Sequence, residues 1–289
     1  MPGFNGGRGR AVAFRIRKYA REHRGSWFVR RIASQCEKFL HGYYNQGFFE
    51  IDKNGEARVI DIAARMRGAG AFVALDVGAN VGDWTAAMLQ NRPDAAIHCF
   101  EVVPSIASAL REAMAGRSTV HVHELGLSSA ARDVDVFWNH RWESTSSIAP
   151  LQQIGFFHGS EVTPVRSRVE SGDAVAKRLG LTRIDLLKVD VEGHEIEVLS
   201  GFREALASPE LRPRVIQFEY GPTWLATRHN LHEAYLLLEP CGYAIGRLYP
   251  DGVEFKPYKF EDDHFRTGNY IAAESRTPLA ARLASFASR

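Results

Sequence analysis

A doubly wound α/β fold, in which helices cover both faces of a mostly parallel sheet, is predicted by three features of the sequence. Short apolar runs alternate with stretches of helical periodicity through most of the chain, the pattern of strands joined by crossover helices. A glycine-rich turn, "DVGANVG" at 76–82, follows directly on the apolar run at 72–77 and leads into a helical stretch. An acid, Glu101, ends the next apolar run, 25 residues after Asp76, near the spacing at which such sheets place a carboxylate for ribose hydroxyls.

Taken in order, strands are predicted near 72–77, 96–102, 119–124, 185–190, 214–219, 243–248 and 265–273. Helices are predicted near 60–67, 83–90, 105–114, 195–207 and 231–239, with Asp83 suited to an N-cap. Asn54-Gly55, between two short apolar runs, carries the sequence signal of a hairpin. The segment 128–170 breaks the alternation with turn residues and extended runs, and is read as an insertion that shapes a pocket.

The N-terminal segment differs from the rest. Residues 1–40 hold ten Lys or Arg and two acids, a net +8 in a chain whose formal charge is +2. Phe14, Tyr19, Trp27, Phe28, Ile32, Cys36, Phe39 and Leu40 recur between the basic residues, which predicts one or two amphipathic helices broken near Gly25. Such an arm is expected to pack on the main domain or on a partner subunit in a homo-oligomer. The alternative is peripheral contact with an anionic membrane surface or a lipid-linked substrate. The division expected is a basic helical extension at 1–44, a main domain at 45–275 and a tail at 276–289.

Composition bounds the partners. A chain of 289 residues with 45% hydrophobic content suits one sizeable domain with an appendage. A charge of +2 gives no ground for nucleic acid as a partner. Three cysteines without a CxxC pair argue for reduced thiols rather than disulfides or zinc. With no apolar run near ~18 residues and no signal-peptide core, the expected location is cytoplasmic.

The glycine turn discriminates between ligands. A P-loop needs a Gly-Lys-Ser/Thr ending, which is absent. The nicotinamide fingerprint G-x-G-x-x-G needs no acid just ahead of it, whereas the spacing here is D-x-G-x-N-x-G. An acid two residues before the first glycine would repel a pyrophosphate but suits an ammonium group, which points to S-adenosylmethionine. Asp76, Gly78, Ala79, Asn80, Gly82, Glu101 and Val102 are the cofactor-binding candidates. The rivals are a nicotinamide-dependent oxidoreductase using Glu101, and a catalytically idle Rossmann-like binding protein whose basic arm holds a membrane or partner.

A second constellation lies in "RIDLLKVDVEGHEIEVLSGF" at 183–202. Leu186, Lys188 and Asp190 share one strand face by period two, so Asp190 emerges at the same sheet edge as Asp76. A lysine and an aspartate there are costly unless paired or open to a cleft. Asp190 is a candidate both for the cofactor amine and for a substrate hydroxyl, with Glu192 beside it. Glu195 and Glu197 are expected to favour the helix dipole and face water. His194 is the candidate general base by side-chain type. Glu219 ends the strand "RVIQFEYG" on the same edge and could orient a sugar hydroxyl, or join Asp190 in holding a divalent ion such as magnesium; the metal is left open. The hydroxyls of "STSSI", 144–148, are candidates for the cofactor carboxylate or substrate, while His140, His158, His229 and His232 are read as surface or packing residues.

With "DVGANVG", "FEVVP", "IDLLKVDVEGHEIEVL", the "NGE" of 54–56 and the "NYIA" of 269–272, the chain resembles the FkbM family of S-adenosylmethionine-dependent methyltransferases over roughly 45–275. The resemblance implies a Rossmann-like class I methyltransferase fold with a doubly wound, seven-stranded, mostly parallel sheet whose last strand is antiparallel. It also implies O-methylation of a hydroxyl on a small-molecule or carbohydrate-containing substrate: a glycan, glycolipid or secondary metabolite. Asp76, Gly78, Asn80, Gly82 and Glu101 match the family's cofactor motifs, and Lys188, Asp190, Glu192, Gly193 and Glu195 match its signature. The first 40 residues lie outside the match.

Overall fold

The computed structural model describes residues 8–139, 146–151, 159 and 161–285. It divides the chain into two compact units, Met1–Gln46 and Gly47–Arg289. In the first, α1 (Arg8–Glu22) and α2 (Trp27–Tyr43) are separated by a short turn that contains Gly25. Ser26 caps α2 by accepting from the Val29 amide at 3.3 Å, which satisfies one of the orphan donors of the first turn.

The second unit begins with α3 (Ile51–Asn54) and α4 (Glu56–Arg67). The hairpin expected at Asn54-Gly55 is therefore a helix–helix junction. Val59, Ile60, Ala63 and Ala64 are buried at helical spacing, and Gly55, at φ 103°, makes the corner under the Tyr249 carbonyl. Asn54 and Glu56 close it reciprocally, the Asn54 amide donating to Glu56 Oε1 and the Glu56 backbone amide to Asn54 Oδ1, both at 2.9 Å.

The sheet follows: β1 (Val73–Val77), α5 (Asp83–Asn91), β2 (Ala96–Glu101), α6 (Pro104–Ala113) and β3 (Val120–Glu124). After them come β4 (Gly126–Ser128), β5 (Arg132–Asn139), β6 (Val162–Ser171), α7 (Gly172–Arg178), β7 (Leu186–Val189), α8 (Glu195–Ser200) and α9 (Arg203–Ala207). The chain ends with β8 (Val215–Tyr220), α10 (Trp224–Thr227), α11 (Leu231–Leu238), β9 (Tyr243–Tyr249), β10 (Gly252–Phe255), β11 (Gly268–Glu274) and α12 (Pro278–Leu283).

The strand order is β10-β9-β11-β8-β7-β1-β2-β3. The run from β8 to β3 is parallel, and β11 is antiparallel to both its neighbours. All seven expected strands are present, and the hairpin partner β10 adds an eighth at the edge. Alternate residues of β1 feed two cores: Leu75 and Val77 join Leu187, Val189, Phe202 and Trp224 on one face, while Ala74 joins Val59, Ile60, Trp84 and Met88 on the other.

Four further differences are local. Gly82, at φ 95°, takes the cap of α5, so Asp83 is the first helical residue, where its charge still meets the positive end of the dipole. The helix expected over 195–207 breaks at Gly201, where a Cβ would lie 2.1 Å from the Ser128 carbonyl oxygen. The insertion builds its own sheet, with β5 and β6 antiparallel and β4 parallel to β6. At the C-terminus, Leu279 and Leu283 of α12 are buried in the second core, so residues expected as a tail are built into this unit.

The two edges of the sheet carry different charges. At the amino edge the buried Asp185 carboxylate accepts from both Nε and Nη2 of Arg183 (2.9 and 3.0 Å) and from the Val73 amide (3.0 Å), with Arg67 at 3.4 Å. Its charge is met inside the fold. The carboxyl edge, where acids outnumber cations, is where ligands bind in open α/β sheets.

Candidate active site

The turn after β1 is shaped by contacts between strand ends. The Gly78 and Ala79 amides both donate to the Phe100 carbonyl, at 2.9 and 3.1 Å, which folds the turn over β2. Gly78 has φ 77°, and a Cβ there would lie 1.8 Å from the Asp190 carbonyl oxygen. At Gly82 a Cβ would lie 2.7 Å from Leu110 of α6 and 2.6 Å from Met114, which caps that helix. The glycines therefore let the turn pack on its own neighbours. Asn80 is itself left-handed, at φ 47°, and its amide donates to Glu101 Oε2 at 3.0 Å while the Val103 amide donates to Oε1 at 2.9 Å. Burial raises the Glu101 carboxyl, and these amides partly offset it.

Asp76 and Lys188 are register partners on β1 and β7. Asp76 is fully buried; its Oδ2 accepts from the Thr85 hydroxyl at 2.7 Å and its Oδ1 lies 3.4 Å from Lys188 Nζ. The carboxylate expected to wait for a ligand's ammonium is thus met by a cation of the chain itself. Lys188 Nζ also donates to the Gly78 carbonyl at 3.2 Å and lies 3.5 Å from Asp190 Oδ2. One ammonium ties the glycine turn to the acid that follows β7. Burial alone would depress it, but Asp76 first, then Asp190 and Glu56, hold its pKa above the ordinary lysine value. Glu56 accepts from Asn269 Nδ2 at 2.5 Å, so pieces from four parts of the sequence form one polar row.

Asp190, Glu192 and Glu219 converge at the carboxyl edge, each with a carboxylate oxygen within 4.8 Å of the others. Among the described residues these acids are close enough to share a hard cation, for which oxygen donors suit magnesium or calcium. Burial first, then the neighbouring carboxylates, push Glu192 and Glu219 well above the ordinary range. Three such groups with Lys188 on one flank leave a surplus of negative charge or a shared proton. Glu192 has φ 53°, and its carbonyl accepts from Ser147 Oγ at 2.7 Å. Thr227 Oγ1 donates to the Gly193 carbonyl at 2.7 Å.

The other candidates lie elsewhere. His194 is buried beneath β4, with Nε2 3.0 Å from Ser128 Oγ. Burial depresses its pKa to about 4, so the ring is neutral and a weak base at pH 7. Glu195, expected to face water, is fully buried: its Oε1 accepts from the Val191 and Gly193 amides at 3.0 and 3.3 Å. The left-handed turn leaves those amides without ladder partners, and Glu195 supplies the acceptor. Glu197 does reach the surface, where it accepts from Ser129 Oγ. His229 bonds Glu233 at 2.8 Å and His232 stacks on Tyr258 at 4.3 Å, both packing roles. Of "STSSI", Ser147 serves the Glu192 carbonyl instead of a ligand; Ser144 and Thr145, like His140 and His158, lie outside the described residues.

A family model for the methyltransferase FkbM domain matches residues 76–245, more than half of the chain. The chain belongs to the FkbM methyltransferase family. The 2-O-methyltransferase NoeI of Sinorhizobium fredii is 28% identical over 190 residues, covering 63% of this chain and 76% of its own length. The methyltransferase sdnD of Sordaria araneosa is 30% identical over 214 residues, covering 64% and 78%. A solved SAM-dependent methyltransferase from Aquifex aeolicus aligns over 83% of this chain and 96% of its own, at 11% identity and a TM-score of 0.40.

Membership of the FkbM methyltransferase family implies S-adenosylmethionine as the methyl donor, and the site's chemistry fits that molecule. Each Glu101 oxygen accepts one amide and keeps further acceptor capacity for ribose hydroxyls. The surplus of carboxylates suits a ligand with an ammonium and a sulfonium. Lys188 and Glu195 hold these groups in place, and neither role is visible in the sequence, because one depends on cross-strand register and the other on an irregular turn.

Burial raises the Glu195 carboxyl to about 8. The folded state therefore binds more protons than the unfolded one between about pH 4.5 and 8, and this group's contribution to stability falls as pH rises through that window. Glu195→Gln, which keeps an acceptor for the two amides, is expected to gain melting temperature relative to wild type as pH is raised from 5 to 8. A constant difference across that range would show that Glu195 is ionised in the fold.

Proposed function

We propose that this FkbM methyltransferase transfers a methyl group to a hydroxyl of a small molecule or carbohydrate-containing acceptor, such as a glycan, glycolipid or secondary metabolite. The observation that carries the reading is the convergence of Asp190, Glu192 and Glu219 within 4.8 Å beside the glycine turn. Carboxylates accept hydrogen bonds from hydroxyls, and one whose proton affinity is raised can take the proton that a hydroxyl loses on methylation. The name of NoeI, a 2-O-methyltransferase, supports oxygen as the acceptor atom.

S-adenosylmethionine, when bound, supplies an activated methyl group on a sulfonium. In this reading Glu101 accepts from its ribose, Val102 packs beside the adenosine, and the turn at Gly78, Ala79, Asn80 and Gly82 holds its position. Asp190 accepts from the ammonium, and Asp76 acts through Lys188. Glu219 orients the acceptor hydroxyl and takes its proton, with Glu192 sharing the charge. His194 serves as a positioning residue, because the ring is buried and its Nε2 is engaged by Ser128 Oγ. Orientation supplies up to about 7–11 kcal/mol in such reactions and a general base about 10²–10⁴-fold, so positioning dominates.

Glu219→Gln is expected to bind S-adenosylmethionine with unchanged affinity in a calorimeter while losing about 10²–10⁴-fold in rate. The acceptor class is tested by mass spectrometry of an oligosaccharide and glycolipid panel incubated with isotopically labelled S-adenosylmethionine. An alkali-stable methyl ether supports the reading; label on nitrogen or on a carboxylate ester refutes it. Absence of cofactor binding by the wild type would favour the idle binding protein.

A further inference from the structure

We propose that the N-terminal helices α1 and α2 lie flat in the surface of an anionic lipid bilayer. Phe28, Ile32, Cys36, Phe39 and Tyr43 recur along α2 at the spacing of one helix face, and no residue of α2 is buried. Val12, Ile16 and Tyr19 form the matching stripe on α1. These side chains are open to solvent to an extent that apolar residues seldom tolerate: Phe39 is 72% exposed, Ile16 64%, Tyr43 61% and Phe28 58%. Opposite these stripes lie Arg10, Arg17 and Arg21 on α1, with Phe14 among them, and Arg30 on α2, while Arg31 and Lys38 flank the α2 stripe.

Charge selects the occupant. Ten basic residues against two acids over positions 1–40 give a local +8, which matches an anionic surface and opposes the pairing of this face with its own copy. Long Lys and Arg stems reach past the apolar stripe to headgroups, and Trp27, with the Arg31 guanidinium 5.7 Å from its ring centroid, suits the interface between hydrocarbon and water. Among the described residues no helix is long and apolar enough to cross a membrane, so the contact is peripheral. The inference rests on the helices alone and is independent of the acceptor.

The test is co-sedimentation of the full chain with mixed phosphatidylglycerol–phosphatidylcholine vesicles and with phosphatidylcholine vesicles alone. Binding is expected to be at least about tenfold tighter on the anionic vesicles and to weaken in about 1 M salt, where the Debye length is about 3 Å. A combined Phe28→Gln, Ile32→Gln and Phe39→Gln variant should stay in the supernatant yet titrate S-adenosylmethionine as wild type does, which shows that the main domain is intact. Equal binding to both vesicles, no binding, or binding by the triple variant overturns the proposal. So does a self-associated form in sedimentation velocity that the triple variant abolishes while wild type ignores vesicles, because that assigns the stripe to a second copy.

Discussion

Lys188→Met is expected to lower the melting temperature by about 6–20 °C and to abolish S-adenosylmethionine binding. Removing one partner of a buried ion pair costs about 3–5 kcal/mol, and one kcal/mol shifts a domain of this size by about 2–4 °C. The loss is large because Asp76 is fully buried beside the lysine, at 3.4 Å, and cannot recover its charge from water. Binding is lost for a second reason: the same ammonium holds the Gly78 carbonyl and Asp190. Adding Asp76→Asn to Lys188→Met should restore part of the stability but not the binding. A double variant whose stability loss equals the sum of the two single losses would show that the pair is uncoupled.

Gly78→Ala is expected to be worse than any strain of backbone conformation explains. A left-handed φ costs a non-glycine residue about 1–2 kcal/mol. Gly116 measures that cost alone, since its φ is 80° and nothing lies within 4 Å of a built Cβ. At Gly78 the added carbon would lie 1.8 Å from the Asp190 carbonyl oxygen, which is backbone and cannot rotate aside. The ends of β1 and β7 would have to part, so cofactor titration should show no binding by Gly78→Ala and normal binding by Gly116→Ala. Equal denaturation midpoints for the two variants would remove the close approach as the reason for the glycine.

What the sequence disclosed and what it hid divide along a physical line. The strands of the main sheet, the glycine turn, Glu101 and the edge position of Asp190 and Glu219 all follow from local pattern, because period, turn chemistry and strand ends are written in consecutive residues. The role of Lys188 is not local. It depends on the register that sets Asp76 opposite Lys188, which no stretch of sequence states. Glu195 departs from expectation for a related reason: an acid in the first turn of a helix ordinarily faces solvent, but here two amides of a left-handed turn take it as their acceptor. Asn54-Gly55 carried a hairpin signal, and the buried helical spacing after it prevailed. His194 had the right chemistry for a base and the wrong surroundings, beneath Ser128.

The bond from Ser147 to the Glu192 carbonyl bears on how this enzyme could be re-engineered. The insertion that holds Ser147 looks like an interchangeable module, with a small sheet of its own between two elements of the main fold. Yet it grips the peptide that carries one of the clustered acids, at a residue whose backbone is already left-handed. A chimera that imports another insertion without a hydroxyl at this point would release that peptide together with its old specificity. Grafts here should therefore be chosen first for a donor at position 147 and only then for the pocket they bring.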